Sequence, residues 1–151
     1  MSFVKNMFIK ILLVIFLVAF VIFYPMLISI YVFMPLMVGT MGYLFISGIE
    51  KYNIYYILIA FLYLTNLELN LSLPLFLSIV SVLIVYVFAK NSFLHKIKCK
   101  VCYSLMIVIL IDIIYLGLLL LYDFVFQTTT IVVDELLLYS LIVDLLVVVL
   151  L

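Results

Sequence analysis

The feature that most constrains this chain is a run of 39 residues, Ile11 to Ile49, without a single charged side chain. A bilayer-spanning helix needs about 20 such residues, so the run is long enough for two spans and too long for one. The rest of the 151-residue chain continues in the same manner. Hydrophobic residues make up 72%, charged residues 9%, and mean hydropathy is +1.64. A soluble domain is nearer half apolar and a quarter charged. The polar surface is too small to cover a water-facing globule, which excludes a cytosolic enzyme or a nucleic-acid binder. The sequence predicts an all-α polytopic integral membrane protein, a single transmembrane domain over 1–151 with no soluble domain.

Six spans follow from the breaks in the pattern. Pro25 and Pro35 bracket a turn, because proline removes a backbone donor and biases the preceding residue away from helix. Spans are therefore expected at about 8–27 and 31–49. Residues 48–53 read as a polar turn, and a third span follows at about 54–65. Asn66-Leu67-Glu68-Leu69-Asn70 reads as a connection, with a fourth span at about 71–89. The third is short, which leaves open a hairpin that does not cross fully. After the basic segment 90–100 come spans at about 101–122 and 136–151, joined by the turn 123–135.

Orientation follows from lysine. All seven basic residues are Lys, at positions 5, 10, 51, 90, 96, 98 and 100. With six spans, all seven fall on one side, while Glu68, Asp123, Asp134 and Glu135 fall on the other. That split predicts cytoplasmic N and C termini. The lysines at the start resemble a secretory signal, but the apolar stretch after them is too long and lacks a small-x-small cleavage site. Tyr24, Tyr31, Tyr52, Tyr55, Tyr103 and Tyr122 fall near expected span ends, where amphipathic rings settle.

Two aspartates are the candidate functional residues. Asp112 lies 12 residues after Lys100 and 11 before Asp123. At about 1.5 Å per residue it sits near mid-bilayer. Asp144 lies nine residues after Glu135 and is also deep. An aspartate there costs ~2.5–3.5 kcal/mol to insert, so both should face other helices, as protonated carboxyls bonded to a tyrosine, a serine or each other. They are either polar clamps for helix packing and partner binding or a proton or cation relay. Lys90, Lys96, Lys98 and Lys100 are expected at the membrane surface.

Other motifs carry less. Cys99-Lys100-Val101-Cys102 with His95 upstream is a C-x-x-C without a fourth ligand or a thioredoxin-like context, and reads as two free thiols. Gly39, Gly42 and Gly117 permit close helix approach without forming a named motif. Asn70-Leu71-Ser72 matches a glycosylation acceptor, a common chance match. The sequence has no Gly-rich phosphate loop, no H-E-x-x-H and no serine nucleophile elbow. No catalytic residue, cofactor or metal is expected.

The layout resembles the bacterial rod-shape-determining membrane protein MreD family. Tyr31-Val32-Phe33-Met34-Pro35 is similar to its aromatic-x-Pro entry to the second span. Residues 59–66, running on to Phe88, resemble its central helix, turn and helix. Ile107 to Ile114, with Asp112 after apolar residues, resembles its fifth span, and Glu135 opens the last one. The chain departs from the family at Tyr63, which lies near the position of an acid, and in its apolar C-terminal residues. The resemblance implies a non-enzymatic scaffold in the bacterial inner (plasma) membrane, linking the elongation machinery (MreC, MreB) to peptidoglycan synthesis and cell shape. Its implied partners are the lipid bilayer, an MreC-like protein and a penicillin-binding transpeptidase, with no nucleic acid. The alternative is a small proton-coupled transporter, or a membrane subunit of a larger complex, using Asp112 and Asp144.

Overall fold

The computed structural model describes residues 2–31, 34–91, 99–128 and 135–150. Among these residues the chain is all-helical. Its elements are α1 (Ser2–Ile30), α2 (Val38–Glu50), α3 (Ile54–Asn70), α4 (Leu77–Asn91), α5 (Lys100–Phe126) and α6 (Glu135–Leu150). One described segment, Val101–Phe126, is by itself long and apolar enough to cross a membrane; Ile15–Ile30, Ile54–Asn70, Leu77–Ala89 and Tyr139–Leu150 are apolar but shorter.

Helix α2 is the centre. It packs against α3, α4, α5 and α6, while α1 lies on α3. Three of the four glycines lie on it because neighbouring helices press on its backbone. A Cβ on Gly42 would lie 2.8 Å from Val82 of α4 and 2.9 Å from Ile111 of α5, and one on Gly48 would lie 2.8 Å from Ile57 of α3. Gly117 faces open space, so the close approach expected there is absent. The core is built around Ile46, Tyr63, Leu64, Leu67, Ile107 and Ile111. Large apolar side chains are exposed on each of the other five helices, among them Phe16, Tyr55, Phe88, Phe124 and Leu146, and α2 exposes none.

Several boundaries differ from the sequence-based expectation. Pro25 does not end α1 but lies buried inside it. The span expected from 31 begins only at Val38, because Pro35 disfavours helix at the residue before it and Met37 takes a left-handed φ of 53°. Residues 66–70, expected as a connection, are the last turns of α3; the Asn70 amide bonds back to the Asn66 carbonyl and side chain, one turn away. The fourth helix starts at Leu77 instead of 71, and α5 runs on to Phe126, so Asp123 lies within it. Of the tyrosines expected at span ends, Tyr24 lies inside α1 and donates to the Pro35 carbonyl at 3.0 Å.

Candidate functional site

A helix that starts or breaks inside an apolar bundle leaves backbone N–H and C=O groups without intrahelical partners. Among the described residues three such places stand out, and interior polar side chains meet each of them.

The first is Pro25. Its ring nitrogen has no hydrogen, so the Val21 carbonyl one turn earlier lacks its helical donor. Asn66 of α3 supplies one, its amide nitrogen lying 3.0 Å from the Val21 oxygen and 3.1 Å from the Ile22 oxygen. The second is the start of α4. Glu68, near the end of α3, is fully buried and accepts from the N–H groups of Phe76 and Ser78, both at 2.6 Å. Glu68 was expected in an outside connection; instead its carboxyl reaches across the turn to cap the next helix, the favoured place for a negative charge.

The third is the start of α2, where the two candidate aspartates meet. Its N-cap residue, Met37, makes no side-chain cap. Helix α6 caps it from outside. Asp144 Oδ2 accepts from the Gly39 N–H at 3.2 Å, and Asp144 Oδ1 lies 3.1 Å from the Thr40 hydroxyl. One turn earlier, Ser140 Oγ accepts from the Leu36 N–H at 3.0 Å. The incoming segment is held by the Tyr24 hydroxyl on the Pro35 carbonyl and the Tyr63 hydroxyl on the Leu36 carbonyl, both at 3.0 Å, with Phe20 stacked on both rings.

Asp112 of α5 comes to the same place from the other side. A Cβ on Gly39 would lie 2.7 Å from both Asp112 oxygens, so glycine is what admits this carboxyl. The expected pairing with a tyrosine, a serine or each other is not what forms. Asp144 bonds Gly39 and Thr40, while Asp112 Oδ2 is buried without a hydrogen-bond partner. Tyr115 Oη, one turn along α5, is likewise buried and unpartnered. Both residues line a cavity of about 120 Å³ with Leu36, Val38, Ser140 and Leu141.

The surface lysines are less fully placed. Lys96 and Lys98 lie outside the described residues, as does His95. Lys90 is the penultimate residue of α4, and Lys100 opens α5. That end of α5 adjoins the Glu50-Lys51 turn, since the Tyr103 hydroxyl donates to Glu50 at 2.8 Å. The two cysteines are free thiols: Cys99 Sγ accepts from the Cys102 thiol at 2.8 Å and its N–H at 3.5 Å. Bonding from the Cys102 side chain, then from backbone, holds the Cys99 thiol below its ordinary range. Among the described residues, no three His, Cys, Asp or Glu side chains come together as metal ligands.

Sequence reasoning found Asp112 and Asp144 and missed Glu68, Asn66, Ser140 and Tyr115. The signal for Asn66 and Glu68 was an amide and an acid inside an apolar stretch, which reads equally well as a turn. Comparison of the chain with models of known protein families, with characterised proteins and with solved structures finds no match in any of the three.

Proposed function

We propose that this chain is a non-enzymatic, multi-pass membrane scaffold of the bacterial inner membrane, with both termini cytoplasmic. The observation that carries the reading is where the polar groups are used. Asn66, Glu68, Ser140 and Asp144 all bond the chain's own backbone at helix breaks, which is what a bundle without internal water requires. Large apolar side chains face outward on five helices while the three glycines of α2, with Glu68, Ser140 and Asp144, are packed inside, the distribution that packing in lipid favours. The lysine-rich end then meets anionic inner-leaflet lipid, each lysine contributing on the order of 1 kcal/mol.

The resemblance to MreD supplies the specific role: a membrane adaptor that binds an MreC-like protein and a penicillin-binding transpeptidase during cell elongation. Crosslinking of the tagged protein in native membranes, followed by mass spectrometry, tests it. Recovery of an MreC-like protein or a transpeptidase is the expected result. Recovery of the chain alone, as a discrete oligomer, rejects the adaptor role.

A further inference from the structure

Neither the bonding at helix breaks nor the scaffold role uses Cys99 and Cys102, yet the fold brings their sulfurs together at the start of α5. We infer that this pair is a redox-active dithiol, which reduces an accessible disulfide and is itself left as a Cys99–Cys102 disulfide.

Geometry comes first. Cys99 is the N-cap of α5, with an extended ψ of 109°, and Cys102 stands three residues on, in the first turn. Residues three apart on a helix share a face, and here the two Sγ atoms lie 2.8 Å from one another. A disulfide bond is about 2.05 Å long, so its closure asks the sulfurs to approach by less than about 1 Å. Access comes second. A cysteine that serves packing is buried and inert. This chain has an apolar interior to hide such residues in, and it holds both of its cysteines exposed instead.

The two sulfurs are also unequal. Cys99 Sγ accepts from the Cys102 thiol at 2.8 Å and from the Cys102 N–H at 3.5 Å. Both bonds favour negative charge on Cys99, as does its place at the positive end of the α5 dipole. The thiolate is the form that attacks a disulfide, so Cys99 is the nucleophile and Cys102, the donor in both bonds, resolves. In the first step Cys99 Sγ bonds to one sulfur of the external disulfide. The S–S bond breaks and its electron pair leaves on the other sulfur. In the second step Cys102 Sγ, having lost its proton, attacks Cys99 Sγ and expels the remaining external thiol. One external disulfide is reduced to two thiols, which carry away both protons, and two protein thiols are oxidised to one disulfide.

The test uses the full chain, purified in detergent, reduced, and freed of reductant with a chelator present. Oxidised glutathione is added, samples are acid-quenched over time, and intact masses are read. In wild type the chain loses two hydrogens, the glutathione adduct is only transient, and excess reduced glutathione restores both thiols. Cys102→Ser stops at a stable adduct on Cys99. Cys99→Ser forms its adduct, on Cys102, about tenfold more slowly than Cys102→Ser does. Serine is a favoured N-cap, so the start of α5 survives that change, as far-UV circular dichroism checks. A wild type that stays reduced, or that keeps glutathione as its end product, overturns the inference. So do a disulfide joining two chains, seen on a non-reducing gel, and a Cys99→Ser chain that reacts as fast as Cys102→Ser. The exchange stands whether or not scaffold partners are recovered, since it uses none of the interior bonds on which that reading rests.

Discussion

Replacing Asn66 should be costly only because Pro25 is present. In the wild type, the Asn66 amide bonds the Val21 carbonyl that Pro25 leaves without a helical donor, and shares itself with Ile22. Asn66→Leu keeps the side-chain volume roughly constant and strands that carbonyl against apolar surroundings, at about 1–3 kcal/mol. In Pro25→Ala the alanine N–H reaches Val21 along the helix, so the same Asn66→Leu change removes a bond no longer needed. Interhelical hydrogen bonds in membrane bundles average ~0.6 kcal/mol and reach ~1.7, because the unfolded chain finds other partners. This carbonyl has no alternative donor in its own helix, which places the expected coupling near the upper end, about 1–1.7 kcal/mol. Unfolding in mixed micelles titrated with SDS gives the four stabilities, and the double variant should be more stable than the sum of the single changes predicts. A coupling within ~0.5 kcal/mol of zero would refute the pairing.

Three further outcomes are expected. Glu68→Leu leaves the Phe76 and Ser78 N–H groups unpaired and should cost about 2–5 kcal/mol, while Glu68→Gln, which keeps one acceptor oxygen, should cost about half as much in the same assay. Gly39→Ala drives a methyl into Asp112 and Val108 and should destabilise by about 1–3 kcal/mol; Gly117→Ala meets nothing and should stabilise by up to about 1 kcal/mol through helix propensity. Because Cys102 favours the thiolate of Cys99, maleimide labelling of Cys99 should rise at lower pH than that of an ordinary thiol. In Cys102→Ala the half-maximal labelling pH should move upward, as read by mass spectrometry.

The helical class was legible in the sequence, since it follows from apolar length, and so was the choice of Asp112 and Asp144 as the acids to follow, from the cost of a charge in an apolar run. Their meeting at Gly39 was not. It depends on α2 starting at Val38, and the left-handed turn at Met37 that delays it has no glycine or asparagine to announce it. Asn66 and Glu68 misled for a related reason. A polar residue in an apolar run marks either a place where the chain leaves the bundle or a place where another segment needs a partner. Spacing along one helix cannot separate these, because the partner of Asn66 is set by a proline on α1. Gly42 and Gly117 look alike in sequence, and only the neighbours they face distinguish them.

The unequal helix lengths have a consequence for the surrounding lipid. Helices α3 and α4, of 17 and 15 residues, rise about 26 and 22 Å, against about 40 Å for the 27 residues of α5. The hydrocarbon layer is about 30 Å thick. In the multi-pass placement proposed above, the turn between α3 and α4, where Leu75 and Phe76 are exposed, would end several ångströms short of the far side, beside a taller neighbour. Lipid along that flank would then thin to meet it, at a fraction of a kcal/mol per ångström. Two molecules that share one thinned patch deform less membrane than two apart. On that proposal the short hairpin would give these proteins a reason to gather that needs no contact between their side chains.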